Sequence, residues 1–342
     1  MLRPNPASRD WATHTRTRAT PLGPDLPLLE AAATPRSSFY AAGPFWHRLR
    51  MIGAAEQSTL KDSAVITFLT YHVDVYQPFG ESPEQRDRLV EQVIRDAGPD
   101  VVAVQGLPGR SPKQAMMRLA YKTGMVCALG EDRSGHIAVA RGEHDDLAVG
   151  LMWRPPLWAT AGSLDIHQGV DWWYALVSVE LNVGDGYRIR HGCYCAPPRD
   201  GGLRRPDEAA RLVKAMARSM GLVGGDWGNP HYYTDRCGSQ LVRPQPHWDD
   251  EEPTDLVLAN RVAVDILAQG GLYDPSTVLE QPRPVSTGHR PDELHSGWPV
   301  DGILVTPRML DAVRAYFAVD TPAARRASTH LPVGVRYDPA AP

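Results

Sequence analysis

The chain has little cysteine and little lysine, and it lacks a long apolar run. Four cysteines among 342 residues are too few for the disulfide framework of a small secreted protein. Lysine supplies only four of the 36 basic residues, and the formal net charge of -4 provides no global positive field for nucleic acid or an anionic membrane. No apolar segment approaches the roughly 18 residues of a membrane-spanning helix, and the N-terminus lacks a secretory-signal pattern. We therefore expect a cytoplasmic protein without membrane contact.

Glycine and proline, by contrast, are abundant. The 30 glycines and 31 prolines punctuate the chain so often that we expect many short elements rather than an all-helical bundle. Residues 1–62 show no sustained periodicity, and their first 50 positions contain seven arginines against three acidic residues. This composition predicts an N-terminal arm over 1–62, flexible or draped over the surface, followed by one domain over 63–342.

After residue 63, apolar runs alternate with turn signals. Periodicity and capping residues predict helices over 83–97, 205–220 and 254–269, and a short helix after Pro307. Strands are predicted at 64–73, 100–105, 146–154, 174–183, 187–195, 222–227, 301–305, 314–320 and 331–338. Neighbouring strands with few helices between them favour two mainly antiparallel sheets packed together, with the helices outside.

One strand carries a possible metal motif, His191-x-Cys193-x-Cys195. The three side chains share a face because successive strand residues alternate. Zinc would normally need a second pair of ligands, which the sequence does not offer. The motif is therefore compatible with two interpretations: a zinc site, or small side chains buried in the core.

Six strand ends carry polar residues in a recurrent order. The segments are 70–73 (TYHV), 100–106 (DVVAVQG), 194–197 (YCAP), 225–228 (GDWG), 300–303 (VDGI) and 328–333 (STHLPV). They resemble the patterns TWNV, DVVALQE, HLxP, GDFN, RxDYI and SDHxPV of the endonuclease/exonuclease/phosphatase superfamily. The closing run 319–333 (VDTPAARRASTHLPV) looks like actinobacterial members. The resemblance implies a four-layer αββα sandwich of two mainly antiparallel sheets.

The resemblance also implies roles for five residues. Asp226 matches the residue that orients the attacking water, His330 matches the catalytic imidazole, and Asp301 matches the carboxylate that holds this imidazole. Tyr194 stands where the family has histidine or tyrosine, so it is expected to donate to phosphate. Asp74 stands where apurinic/apyrimidinic endonucleases have an aspartate, which makes it a candidate metal ligand.

Four positions depart from the family pattern. His72 replaces an asparagine, Gly106 the metal-binding glutamate, Gly228 an asparagine and Thr329 an aspartate. Glycine provides no side-chain oxygen for a hard cation such as Mg²⁺. His72 is a candidate substrate-binding residue, and Asn229 could take the place of the amide missing at 228.

These departures lead to two interpretations of function. The first is a catalytically degenerate protein that keeps the cleft as a binding or scaffolding surface, with no cofactor. The alternative is an active phosphodiesterase or phosphatase that uses Mg²⁺ or Mn²⁺ at an altered site. A further alternative has His72, His330 and Asp226 bind a transition metal. A small phosphoester or a protein is favoured over nucleic acid as the partner.

Overall fold

The computed structural model describes residues 65–73, 82–129, 136–144, 147–198, 203–228, 254–289 and 297–341, without the side chains of 254–260. The predicted N-terminal arm lies outside these residues. The strands are β1 (Ile66–His72), β2 (Val101–Pro108), β3 (Ala128–Leu129), β4 (His136–Ile137), β5 (Val139–Ala140), β6 (Leu147–Trp153), β7 (Trp158–Ala159), β8 (Asp165–His167), β9 (Ala175–Asn182), β10 (Arg188–Cys195), β11 (Gly221–Asp226), β12 (Asp301–Val305), β13 (Val313–Ala318) and β14 (Val333–Tyr337). The helices are α1 (Pro83–Ala97), α2 (Pro112–Thr123), α3 (Arg204–Met216), α4 (Thr254–Gln269), α5 (Ser276–Leu279) and α6 (Pro322–Ala327), with a 3₁₀ turn at Pro307–Met309.

Two sheets form the centre of the molecule. The first has the order β13-β14-β1-β2-β6-β5, and the second has the order β12-β11-β10-β9-β7, with β8 also paired to β9. Most neighbours are antiparallel, but β1 pairs with β2 and β10 pairs with β11 in parallel. The predicted architecture of two mainly antiparallel sheets with helices outside is confirmed.

The core has three apolar layers. The middle layer lies between the sheets and is built from inward-facing residues such as Phe68, Val177 and Ile303. A second layer joins the first sheet to α1, α2 and α6, and a third joins the second sheet to α3 and α4. Because strand side chains alternate, a long strand such as β1 contributes Phe68 to the middle layer and Leu69 to an outer layer.

Local signals explain where α1 begins and ends. Ser82 and Gln85 form a reciprocal capping box at its start, and Gly98 ends it in a left-handed conformation with φ of 60°. Helix α3 ends earlier than the sequence pattern predicts. It stops at Met216 rather than at residue 220, because Gly221 already belongs to β11, where it pairs with Arg190 of β10.

The two sheets approach each other closely where β1 and β11 cross. A Cβ atom at Gly224 would lie 2.8 Å from Cβ of Thr70, a distance that real side chains do not adopt. Glycine at this position therefore lets the backbones come together. Two residues further along each strand are His72 and Asp226, so this crossing brings both strand ends to one edge of the sandwich.

Candidate functional site

A cluster of four polar side chains lies at the edge where β1, β11 and β12 meet. His72 is the last residue of β1, Asp226 is the last of β11, and Asp301 is the first of β12. Asp226 and Asp301 are directly paired across the two strands. His330 comes from the segment between α6 and β14. One ligand atom from each of the four lies within 4.8 Å of those of the others.

His72 and Asp226 form the first pair in this cluster. The distance from His72 Nδ1 to Asp226 Oδ2 is 2.7 Å, and the other carboxylate oxygen accepts the Gly228 N–H at 2.7 Å. Burial alone would raise the pKa of Asp226. The hydrogen bond and charge of His72, together with the charge of His330 and the Gly228 N–H, outweigh burial and hold this pKa well below its usual range. Asp226 is therefore an anion that His72 Nδ1–H donates to.

His330 and Asp301 form the second pair. The distance from His330 Nδ1 to Asp301 Oδ2 is 2.7 Å. The Asp301 side chain is only 1% exposed, and its backbone N–H donates to Ser286 Oγ at 3.0 Å. Its second carboxylate oxygen, Oδ1, is buried and has no hydrogen-bond partner among the described residues. A buried carboxylate oxygen without a partner carries an energetic cost unless a cation or a proton donor reaches it.

Ser328 links the two histidines. Its hydroxyl donates to the His72 backbone carbonyl at 2.7 Å and accepts the His330 N–H at 3.0 Å. The two imidazole rings lie next to each other, with centroids 4.5 Å apart. Sequence reasoning missed this positioning role for Ser328, although a serine hydroxyl often bonds the backbone N–H two residues further along the chain.

The cluster is partly open to solvent. The side chains of His72, Asp226 and His330 are 11%, 13% and 16% exposed, so a small molecule or ion can reach them, whereas Asp301 lies beneath. The described residues of this cluster supply two imidazoles and two carboxylates. Mg²⁺ prefers a shell made of oxygen, whereas imidazole suits ions such as Zn²⁺. The donor set therefore does not fit the Mg²⁺ that the resemblance implies.

The backbone at Gly106 differs from a regular strand. The pairing of β2 with β6 shifts between Val104 and Leu107, and Gly106 has φ of 77° in this bulge. The position of the family glutamate is therefore occupied by a left-handed residue, a conformation that favours glycine. The chain at 106 therefore combines a bulged backbone with the absence of a side-chain carboxylate.

Gly228 also adopts a left-handed conformation, with φ of 59°. A Cβ atom there would lie 3.0 Å from Nη2 of Arg205. Arg205 is fully buried and donates to the carbonyls of Pro198 and Trp227 at 3.1 and 3.2 Å. This arginine therefore fills the space beside 228 and ties two loops next to the cluster.

Tyr194 does not reach the cluster. It lies between Cys193 and Cys195, so its side chain points to the outer face of the second sheet, where its hydroxyl donates to Glu208 at 3.0 Å. Burial raises the pKa of Glu208 to about 7. The predicted contact of Tyr194 with phosphate has no support in this placement. The alternation of β10 was the signal available in the sequence, because it already set Tyr194 apart from its two neighbours.

Two further candidate site residues, Asp74 and Asn229, lie outside the described residues. Their roles as a metal ligand and as a replacement amide remain predictions. Thr329 is described, and it lies between Ser328 and His330 in the segment that leads into β14.

The residues of the His191-x-Cys193-x-Cys195 motif are buried between the sheets. His191 Nδ1 and Nε2 bond to the Ile189 carbonyl at 3.1 Å and the Tyr337 hydroxyl at 2.9 Å. Burial raises the pKa of Cys193 to about 12 and holds that of Cys195 well above its usual range. These residues therefore serve as core side chains, as the second interpretation of the motif predicted.

Comparisons with known proteins show what this arrangement resembles. No family model matches the chain, and no curated protein sequence matches it. Solved structures do. An endonuclease/exonuclease/phosphatase from Bacteroides vulgatus has a TM-score of 0.55 and 12% identity, with 80% of this chain and 99% of that chain covered.

Two other similar structures carry more specific names. An AP endonuclease from Archaeoglobus fulgidus has a TM-score of 0.50 and 16% identity, covering 80% of this chain and 99% of that one. A mannosyl-6-phosphatase from Bacteroides thetaiotaomicron VPI-5482 has a TM-score of 0.52 and 12% identity, covering 79% and 98%. The domain therefore has the endonuclease/exonuclease/phosphatase fold, and the fold implied by the sequence motifs is confirmed. None of the helices in the described ranges has the length and hydropathy needed to cross a membrane.

Proposed function

We propose that the protein hydrolyses a small phosphoric ester at the cluster of His72, Asp226, Asp301 and His330. The observation that supports this most is the 2.7 Å hydrogen bond between His330 Nδ1 and Asp301 Oδ2. A histidine held in this way by a buried carboxylate is a recurrent arrangement for proton transfer. The fold adds support, because the similar structures include an endonuclease and a phosphatase.

His330 would exchange the proton in this reaction. Hydrolysis forms a bond between a water oxygen and phosphorus, breaks the bond from phosphorus to the leaving oxygen, and moves a proton from the water to the leaving group. Because Asp301 holds Nδ1–H, Nε2 is the nitrogen of His330 through which that proton would pass. The Asp301 carboxylate would fix the tautomer and stabilise the imidazolium form.

Asp226 would orient the attacking water. Its ionised carboxylate sits at the end of β11 and is 13% exposed. One oxygen holds His72 and the other accepts the Gly228 N–H, so the carboxylate has a fixed orientation. A carboxylate fixed in this way can accept one hydrogen bond from water without reorganising during the reaction.

A small substrate fits the charge of the protein better than a nucleic acid does. The formal net charge is -4, and the cluster itself contributes two carboxylates. A nucleic-acid backbone is bound mainly by a positively charged surface. A small phosphoester needs contact only with the few groups of the cluster.

Hydrolysis of p-nitrophenyl phosphate and bis-p-nitrophenyl phosphate by the full-length protein tests the proposal, with abasic DNA as the nucleic-acid substrate. We expect p-nitrophenolate release that His330→Ala lowers by roughly 10²- to 10⁴-fold, the usual contribution of a general acid or base. His167→Gln, in β8 and outside the cluster, is the matched control and should keep the wild-type rate. Equal rates in wild type and His330→Ala would refute the proposal, and cleavage of abasic DNA alone would reassign the substrate.

A second candidate is a catalytically degenerate binding protein. Two observations favour it: Gly106 and Gly228 bring no side-chain oxygen to the site, and the imidazole of His72 already occupies one oxygen of Asp226. In that case a folded wild-type protein would cleave none of the three substrates, with or without added divalent ions. The same assay therefore decides between the two functions.

A further inference from the structure

We infer that His72, Asp226 and Asp301 bind a divalent transition-metal ion of the Zn²⁺ type, in place of the family's Mg²⁺. This inference rests on the proposed function, because it assigns a cofactor to that same site. In this view, the replacement of the family's asparagine by His72 adds a metal ligand to the site. His330 is left outside the ligand set, since the proposed hydrolysis needs its imidazole for proton exchange.

The orphaned oxygen of Asp301 is the first argument. Asp301 Oδ1 is buried without a hydrogen-bond partner among the described residues, while Oδ2 is bonded to His330. Leaving a buried carboxylate oxygen unpaired costs free energy. A cation between Asp301 and Asp226, which are paired across β12 and β11, would compensate this cost.

The orientation of His72 is the second argument. Its Nδ1 lies 2.7 Å from Asp226 Oδ2, so these two atoms already face each other across a shared proton. An ion of the Zn²⁺ type between them would replace this proton and bond to both atoms, since imidazole nitrogen and carboxylate oxygen are both zinc ligands. The proton would be released on binding, because metal ligands must be deprotonated. The asparagine of the family pattern offers no imidazole nitrogen for such a bond.

Distance and charge are the third argument. The candidate ligand atoms lie within 4.8 Å of one another. Donors about 2.0–2.1 Å from a tetrahedral Zn²⁺ would be roughly 3.3 Å apart, so the separation needs to close by at most about 1.5 Å. Two carboxylates and a neutral imidazole carry a charge of about -2, which a divalent cation neutralises. Three protein ligands with one open position are typical of catalytic zinc.

The donor chemistry separates this ion from Mg²⁺. Imidazole nitrogen suits Zn²⁺ and similar ions, whereas Mg²⁺ needs near-octahedral oxygen coordination. At the family position for the metal-binding glutamate, Gly106 lies in a left-handed bulge and supplies no oxygen. The residue that enters the site instead is His72. Both changes lower the affinity for Mg²⁺ and favour an ion that accepts nitrogen.

Metal binding can be measured without any turnover. The EDTA-treated full-length protein is titrated with Zn²⁺ by calorimetry, in the absence and presence of millimolar Mg²⁺. We expect one Zn²⁺ to bind wild type, and Mg²⁺ not to displace it. His72→Asn, which restores the family residue, should weaken Zn²⁺ binding by at least about 10-fold, because loss of even an outer partner costs about 10- to 100-fold.

Two further variants separate ligands from neighbours. His330→Gln should bind Zn²⁺ within about threefold of wild type while losing hydrolysis, and His167→Gln should match wild type in both. If His72→Asn binds Zn²⁺ like wild type, or if Mg²⁺ competes equally, the inference is wrong. If His330→Gln abolishes binding, the ligand set is wrong.

Circular dichroism shows whether each variant folds. If His72→Asn does not fold, the visible spectrum of wild type loaded with Co²⁺ decides. A spectrum like that of aqueous Co²⁺ overturns the inference, and an intense four- or five-coordinate band upholds it. Zn²⁺ binding without hydrolysis keeps the site and refutes the proposed function. Hydrolysis by the EDTA-treated protein, together with a failure to bind Zn²⁺, would refute the metal site and support the proposed function.

Discussion

Two histidines, His191 in β10 and His330 in the segment before β14, have different partners. His191 is completely buried and bonds to a carbonyl and to the Tyr337 hydroxyl, and burial lowers its pKa to about 3. His330 bonds to the Asp301 carboxylate and is 16% exposed. Tyr337 pairs with Ile66 at the start of β1, whereas the cluster lies at the end of β1. Two properties therefore distinguish a structural histidine from a candidate catalytic one: the hydrogen-bond partner of the imidazole, and the distance of the imidazole from the open edge of the sandwich.

Replacing the hydrogen-bond partner of each histidine should give the largest difference between the two, and that difference should be in kcat. We expect Asp301→Asn to lower kcat for p-nitrophenyl phosphate by roughly 10²- to 10⁴-fold, because an amide no longer stabilises the imidazolium or fixes its tautomer. Tyr337→Phe should leave kcat unchanged. Both values come from steady-state assays at saturating substrate. A similar loss of kcat in both variants would contradict the assignment of His330 to chemistry and His191 to structure.

The Tyr337 variant, which should keep its kcat, should instead lose stability. Tyr337→Phe leaves His191 Nε2 buried without its donor, so we expect the free energy of unfolding to fall by about 1–3 kcal/mol. Tyr121→Phe is the control, because Tyr121 is 60% exposed, and it should change stability by less than about 0.5 kcal/mol. Urea unfolding measures both variants. An equal loss of unfolding free energy in the two variants would contradict a stabilising role for the hydrogen bond between His191 and Tyr337.

The pH dependence of stability gives a smaller effect per pH unit, with a definite sign. The unfolded chain protonates His191 near its usual pKa of 6.5, but the folded protein does so only near 3. Protonation therefore favours unfolding between these values, and stability falls as the pH is lowered from 6.5 toward 3. We expect the difference between wild type and His191→Gln to change by at most about 1.4 kcal/mol per pH unit.

Urea unfolding of these two proteins at several pH values between 7 and 4 measures this difference. Comparison with His191→Gln removes the contribution of the other titrating groups, which both proteins share. A difference that stays constant with pH would show that His191 is not held neutral by burial.

The smallest effect is expected at Gly106. With φ of 77°, a side chain there is strained, so Gly106→Ala should destabilise the fold by about 1 kcal/mol. Gly106→Glu should carry the same backbone cost, so adding the missing carboxylate alone should not create a Mg²⁺ site. Thermal unfolding and Mg²⁺ titration of both variants check this. Tight Mg²⁺ binding by Gly106→Glu would show that the bulge accommodates the family residue.

Much of the secondary structure could be predicted from the sequence. The strands β1, β2 and β11 follow from apolar runs, and α1 follows from Ser82 and Gly98. Helix α2 was not predicted, although Pro112 begins it and Gly124 ends it. The strand β2 continues three residues beyond Gln105, because it pairs again with β6 after the bulge at Gly106. Pairing between distant strands sets such boundaries, and local pattern does not contain it.

The candidate site could be predicted only in part. The order of motifs identified Asp226, Asp301 and His330, and the structure brings all three together with His72. Tyr194 was assigned by motif order although the alternation of its strand opposes that assignment. Ser328 and Ser286 were missed, since their roles depend on backbone groups contributed by other segments.

The sequence by itself determined the long strands, the alternation of faces along them and the polar residues at their ends. These properties depend on neighbours in the chain, through the two-residue period of a strand and through local caps. The tertiary structure decided which polar groups meet. His72 and Asp226 are 154 positions apart and bond at 2.7 Å. That distance depends on how closely the two sheets pack at Gly224, a non-local property that no single segment specifies.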